Sequence, residues 1–161
     1  MLSKQVVITA ALLALVPVAG AATLELAWGD PAKFTDIRAG EEGQTKFQER
    51  VMKELEKTFQ KEAEKLPADQ KLKIEIKDLD MAGEMEYFHP DFPFGLRVVR
   101  NAGFPSIKLS YELQDAKGKV LKSGDSRFSD MGFNEAIQSL KDPAALHYEQ
   151  DMIRKWYQHE F

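Results

Sequence analysis

The sequence predicts a single-domain α+β fold, a two-layer sandwich in which helices cover one face of a mixed sheet of about four strands. Two observations predict it. Stretches of alternating apolar and polar residues indicate strands that bury one face, and stretches with an apolar residue every three or four positions indicate amphipathic helices. These stretches follow one another as β-α-β-β-β-α, with no internal repeat and no low-complexity linker between them.

Apolar and polar residues alternate in residues 23–28, 72–76 and 107–113, and each of these stretches is predicted to be a strand with one buried and one solvated face. Residues 120–128 alternate poorly, but they follow a turn and are predicted to be a fourth strand. The last two strands flank residues 115–118, a turn that ends in Gly118, and this arrangement predicts a hairpin. Small residues near Gly124 are typical of a strand at the edge of a sheet.

The first predicted helix covers residues 45–66. Apolar residues recur every four positions from Phe47 to Phe59, and the opposite face is rich in charged residues that favour solvent. Pro67 ends the helix because it has no N–H to donate and its ring clashes with the preceding turn. Such a helix fits a crossover between parallel first and second strands.

A second helix is predicted at the end of the chain, with Asp142 as N-cap and Pro143 at its first position. Leu146, Ile153 and Trp156 form an apolar stripe, which Met152 and Tyr157 flank. We expect this stripe to dock on the sheet beside the first helix. A further short helix is expected within residues 130–140.

Residues 1–21 have the pattern of a secretory signal peptide, with Ala22 as the alternative last residue. Lys4 precedes an apolar run over residues 6–16, and small residues follow at 19–21. The run is shorter than the roughly 20 residues of a membrane-spanning helix. We therefore expect a periplasmic protein whose mature part, residues 22–161, forms one domain without stable membrane insertion after cleavage; an uncleaved N-terminal anchor is the alternative.

Composition excludes several functions. The net charge is −4 and no basic cluster occurs, so no nucleic-acid partner is expected. The chain has no cysteine, which removes thiol catalysis and thiolate metal sites. Its three histidines have no metal-ligand spacing, and no serine lies in a G-x-S-x-G elbow. The sequence therefore predicts no catalytic residue, no metal and no cofactor.

Two acids end the second strand at unexpected positions. Continuing the inward alternation of that strand places Asp78 and Asp80 on the core side, where a carboxylate needs a partner. We expect one of them to pair with Arg97 or Arg100 and to tie the long following connection to the sheet. The alternatives are a strand that ends or bulges at Asp78 and leaves both acids exposed, and a ligand or metal site that includes Glu84.

The connection after these acids is rich in aromatic residues and proline, among them Phe88, Phe92 and Phe94. Loops of this kind more often pack over the open edge of their own core, and we favour that interpretation here. The alternative is a patch that binds a partner.

Several of these segments together resemble a bacterial exported family known as domain of unknown function 3016. The most specific is Asp-Leu-Asp-Met-Ala-Gly-Glu at residues 78–84, and the resemblance continues through residues 30–38, 97–100, 104–107 and 148–156. It covers essentially the whole mature chain. It implies export and a single domain, and it transfers no activity and no catalytic residue.

The sequence therefore favours an exported periplasmic protein that is a non-enzymatic binding or envelope-accessory module. Its expected partner is an unknown envelope protein or a small ligand. The candidate binding residues are Asp78, Asp80, Glu84, Arg97, Arg100, Phe88, Phe92 and Phe94. The competing hypothesis is a small metal-dependent or hydrolytic enzyme that uses the acidic cluster of Asp78, Asp80 and Glu84.

Overall fold

Two helices cover one face of a mixed sheet in the computed structural model of the chain, which describes residues 20–100, 102–133 and 146–161. This architecture confirms the predicted α+β class. The elements in chain order are β1 (Thr23–Trp28), α1 (Gln44–Ala63), β2 (Lys71–Asp80), β3 (Glu84–Glu86), β4 (Leu96–Val98), β5 (Ser106–Gln114), β6 (Val120–Ser129) and α2 (His147–Glu160).

The main sheet has the strand order β1-β2-β5-β6. β1 and β2 are parallel, so α1 is the predicted crossover between them. β5 is antiparallel to β2 and to β6, and the predicted hairpin is confirmed. Alternate residues along β2 and β5 are buried, which places the core on one face and leaves the other to charged side chains.

The core is formed by the apolar stripes of both helices. In α1 the buried residues include Val51, Leu55 and Phe59. In α2 the indole of Trp156 has no exposed surface and lies edge-on to Phe59, with ring centroids 6.0 Å apart. Its Nε1 donates a hydrogen bond of 3.2 Å to Ser126 on β6. The predicted docking of the closing helix against α1 and the sheet is confirmed.

Some predictions fall outside the described residues. The signal peptide over residues 1–21 lies there almost entirely, as do the Asp142-Pro143 helix start and most of the short helix expected in residues 130–140. They stay predictions. Across the part of the chain that the structure describes, no helix is both long and apolar enough to cross a membrane.

A second, two-stranded sheet was not expected from the sequence. β3 and β4 pair antiparallel, with Glu84 opposite Val98 and Glu86 opposite Leu96. The segment predicted as a long loop is therefore a hairpin, which we call the aromatic hairpin (residues 84–98). Strands of three residues are too short to show a clear alternation, so the sequence pattern carried no sign of them.

Candidate functional site

A β-bulge in β2 decides where its two terminal acids point. The register with β5 shifts between Ile76 and Asp78, so one extra residue is inserted. As a result Leu79 is fully buried, whereas Asp78 and Asp80 are only partly buried. The prediction that both acids face the core was wrong because the bulge inverts the alternation. The alternative was right that a bulge lies at this place but wrong that it leaves both acids exposed, since only 15% of the Asp78 side chain is exposed.

Asp78 is held by groups from two neighbouring segments. Lys108 on β5 donates to Oδ2 at 2.7 Å. The backbone N–H and the hydroxyl of Thr35 donate to the two carboxylate oxygens at 2.7 and 2.8 Å. Burial, the largest single influence, raises the pKa of Asp78, but the hydrogen bonds from Lys108 and Thr35 together outweigh it and lower the pKa. Asp78 is therefore a structural anion.

Asp80 has the opposite electrostatics. Its pKa is raised, first by burial and then by the negative charges of Asp36 and Asp78. Asp36 is close because its segment extends the sheet, with Asp36 N–H donating to Leu79 O and Met81 N–H donating to Asp36 O, both at 3.1 Å. Three aspartates thus crowd the carboxyl end of β2.

Arg97 offsets part of this negative charge by binding Asp36. Its guanidinium donates to both carboxylate oxygens of Asp36, at 3.0 and 3.1 Å, in a bidentate pair. It also donates to the backbone carbonyls of Ala82 and Arg38, both at 3.2 Å. Only 19% of the Arg97 side chain and 15% of the Asp36 side chain are exposed. One arginine thereby connects β4, the end of β2 and the segment before α1.

The predicted partners of the two arginines were wrong. Arg97 binds Asp36, and Arg100 pairs with Glu86 at 2.5 Å on the surface. Sequence reasoning found that an arginine ties the connection to the sheet but missed Asp36. Arg97 and Asp36 are 61 residues apart, and nothing in a linear pattern links them.

Glu84 does not complete a metal site with the aspartates. It is exposed on β3. Within the described ranges, no group of three or more histidine or acidic residues is arranged to hold a metal ion. Of the acids at this end of the sheet, Asp78 binds Lys108 and Thr35, and Asp36 binds Arg97.

The aromatic hairpin presents its rings to solvent. Phe88 is 100% exposed and Phe94 is 68% exposed. Phe92 is partly buried and lies beside His89, with ring centroids 5.1 Å apart. The favoured interpretation, that these residues pack over the open edge of their own core, was wrong for Phe88 and Phe94.

Backbone geometry fixes the aromatic hairpin at its base. Gly83 has φ +78°, and a Cβ there would lie 2.5 Å from the carbonyl oxygen of Val98. Gly95 has φ +99°, and a Cβ there would lie 2.9 Å from Met85 and 3.0 Å from Tyr87. Only glycine fits these two positions. The exposed rings are therefore carried by a closely packed backbone, not by an unsupported loop.

A pocket of about 260 Å³ lies between the base of the aromatic hairpin and the helices. The loop of residues 38–40, the first turns of α1, the segment after β2 and the start of α2 line it. Glu149 of α2 is 3% exposed, and its Oε1 accepts a hydrogen bond of 2.8 Å from Ala82 N–H. Burial raises the pKa of this carboxyl. The sequence did not single out Glu149, because an acid in the first turn of a helix is common.

Comparison with known proteins gives a family and little more. The family model described as "Protein of unknown function (DUF3016)" matches residues 22–159. No curated protein matches the chain. Among solved structures, a candidate lipoprotein from Caulobacter crescentus CB15 matches with 16% identity and a TM-score of 0.36, over 84% of this chain and 85% of that one. At that TM-score the similarity supports no conclusion about function.

Proposed function

Because the chain belongs to the DUF3016 family, whose description assigns no activity, we propose a function from its geometry: a periplasmic, non-enzymatic binding module that docks an envelope protein on the aromatic hairpin. The observation that carries the proposal is the complete exposure of Phe88 on an ordered backbone. A large aromatic ring on a fixed element loses little conformational entropy on binding, and such residues dominate the energy of many interfaces.

Backbone hydrogen bonds at the tip of the aromatic hairpin support a binding role for Phe88. The N–H of Phe92 donates to His89 O at 3.1 Å, and the N–H of Gly95 donates to Phe92 O at 3.0 Å, so two successive turns close the aromatic hairpin. Phe94, which is also largely exposed, lies within the second turn. The two exposed rings extend the apolar surface that a partner would cover.

Charge indicates what kind of partner fits. Glu84 and Asp91 are exposed on the aromatic hairpin, and the side chain of Asp91 is 84% exposed. Exposed acidic residues on the same hairpin as the apolar rings complement a protein surface that has an apolar pocket and basic residues nearby. It disfavours an anionic lipid surface, which attracts basic segments. We therefore commit to a protein partner.

The competing hypothesis, a small metal-dependent or hydrolytic enzyme, has weaker support. Asp78 is engaged with Lys108 and Thr35, so of these two aspartates Asp80 is the one whose raised pKa suits an acid catalyst. An elemental scan of protein purified without chelator tests it, together with melting curves in calcium, magnesium and zinc. Bound metal, or a rise in melting temperature that Asp80→Asn abolishes, would favour the enzyme over the binding module.

The docking proposal is tested by photo-crosslinking in living cells. A photoreactive phenylalanine analogue at Phe88 should give one defined crosslinked protein, while the same analogue at Leu121, a 47% exposed residue of β6, should not. Added Phe88→Ser protein should reduce the amount of that crosslinked product less than added wild-type protein does, because it competes poorly for the partner. Lipid crosslinks alone, or equal products at both positions, would contradict the proposal. Osmotic-shock fractionation should recover the chain with periplasmic proteins.

A further inference from the structure

We propose that the pocket beside Arg38 and Glu149 binds a small organic anion with an apolar body. This site is separate from the exposed rings of the aromatic hairpin and does not depend on the docking function proposed above. The size of the pocket, its apolar walls and the guanidinium groups around it support such a ligand.

Apolar side chains from three elements form the walls. Phe47 comes from α1, Met85 from β3 and Leu146 from the start of α2. A cavity of about 150 Å³ lined by apolar residues is enough to hold benzene. The pocket measures about 260 Å³, so it has room for one ring or a short alkyl chain together with a head group.

Three arginines line the same pocket, and they differ in what already binds them. Arg50 pairs with Glu42 at 3.0 Å, and Arg97 makes its bidentate pair with Asp36. Arg38 is exposed, and no acidic oxygen of the described residues lies within 4.0 Å of its guanidinium. Arg38 is therefore the group that can give two parallel hydrogen bonds to an incoming carboxylate or phosphate.

Glu149 sets the electrostatics of the inner wall. Its carboxyl is buried and holds the backbone N–H of Ala82, so it fixes the segment after β2. Burial raises its pKa and so disfavours its negative charge. Glu149 therefore repels an anion less than a glutamate with an ordinary pKa would. The positive charges of the arginines then favour an anionic ligand.

The experiment uses defined probes with the full mature protein. Isothermal titration compares hydrocinnamate and 3-phenylpropyl phosphate with hydrocinnamyl alcohol and 3-phenylpropylamine, which keep the ring and the three-carbon chain and change only the head group. We expect binding of at least one anion and a weakening of at least tenfold for the alcohol and the amine. An arginine can form a bidentate pair with a carboxylate or with a phosphate. Comparing the affinities of the two anions shows which of these groups the pocket prefers.

Variants then locate the site. Arg38→Gln should weaken anion binding at least tenfold, about 1.4 kcal/mol. Its melting temperature should be unchanged, since Arg38 is exposed. Arg127→Gln, at an exposed arginine of β6, is the matched control and should bind like wild type. Phe88→Ser should also retain anion binding, so failure of the docking proposal and failure of this one are distinguishable.

Three results would overturn the inference: no measurable binding of either anion, equal affinity for the anions and the alcohol, or equal losses in Arg38→Gln and Arg127→Gln. Amide chemical-shift changes should centre on Ala82 and Glu149 when hydrocinnamate is added. Changes centred instead on the tip of the aromatic hairpin would place the anion elsewhere and would likewise overturn it.

Discussion

The chain carries two aromatic clusters with opposite environments. Around Trp156, which is fully buried, the buried rings of Phe59 and Tyr111 lie with centroids at 6.0 and 5.8 Å. In the aromatic hairpin, Phe88 is entirely exposed. The residue types are similar, so the difference comes from the elements that carry them and from what covers those elements.

The buried cluster belongs to long elements with a second layer above them. The hydroxyl of Tyr111 on β5 donates to Glu160 of α2 at 2.6 Å, so even its polar end has a partner. Burial and then this hydrogen bond raise the pKa of Tyr111 to about 12. The aromatic hairpin is instead built on two strands of three residues each, β3 and β4. These strands are too short to support a second layer of structure that would cover the rings. We therefore expect the exposed rings there, Phe88 and Phe94, to stabilise the fold little.

The largest expected effect of a single change is at Trp156. Trp156→Ala should lower the free energy of unfolding by about 3–5 kcal/mol, because it removes a large buried ring and leaves a cavity. Urea titration followed by tyrosine fluorescence or circular dichroism measures it. Trp156→Phe is the milder control and should lose less. A loss below about 1 kcal/mol for Trp156→Ala would show that α2 is not part of the core.

The buried cluster is the part that sequence reasoning predicted well. The period of four in α1 and the stripe of Leu146, Ile153 and Trp156 follow directly from burial against a sheet, so position and orientation could both be predicted. β1 was predicted with its observed bounds, Thr23–Trp28, because its alternation is regular. Long elements repeat their pattern often enough for it to be recognised.

The second expected effect concerns the base of the aromatic hairpin. Arg97→Gln should lower the free energy of unfolding by about 2–3 kcal/mol, since it leaves the carboxylate of Asp36 largely buried without its cation. Arg100→Gln is the matched control from the same short segment. Its partner Glu86 is 44% exposed and Arg100 itself 60%, so the loss should stay below about 0.5 kcal/mol. Equal losses in the two variants would contradict the assignment of Arg97 as the connecting residue.

The arrangement around Arg97 could not be predicted from the sequence. The β-bulge before Asp78 depends on pairing with β5 and left no trace in the alternation of Leu72, Ile74 and Ile76. Asp36 lay in a polar loop that nothing associated with the sheet until the fold brought it beside Leu79. Contacts made by irregular segments depend on tertiary structure, whereas regular periods are local.

A third test separates the two acids at the end of β2. Asp78→Asn should lower the free energy of unfolding at neutral pH by about 1–2 kcal/mol, because Lys108 and Thr35 lose a charged acceptor. Asp80→Asn should raise it by a smaller amount, because it removes a charge that burial disfavours first and the charges of Asp36 and Asp78 disfavour next. Urea titrations of both variants at pH values from about 3 to 7 measure these changes.

The pH dependence of these two effects follows from their opposite shifts. The lowered pKa of Asp78 gives stability that is present above its unfolded pKa and is lost as pH falls through its folded pKa. The raised pKa of Asp80 costs stability at pH values above its folded pKa, and protonation relieves that cost as pH falls. For both variants, the difference from wild type in the free energy of unfolding should therefore become smaller at acidic pH. A constant difference across this range would refute the electrostatic explanation.

The smallest expected effect is at the tip of the aromatic hairpin. Phe88→Ser should change the free energy of unfolding by less than about 0.5 kcal/mol, because a fully exposed ring leaves no cavity and loses almost no packing when removed. The same urea titration that detects the large loss in Trp156→Ala measures it, so the two aromatic clusters are compared on one scale. Phe92→Ser is an intermediate control, since that ring is partly buried beside His89.

If Phe88→Ser lowered the free energy of unfolding as much as Phe92→Ser, the ring of Phe88 would be packed against the protein in solution. The proposed docking surface would then not exist. If Phe88→Ser instead retains stability while it fails to compete in the photo-crosslinking experiment, then aromatic rings stabilise the fold around Trp156 and bind a partner at the tip of the aromatic hairpin.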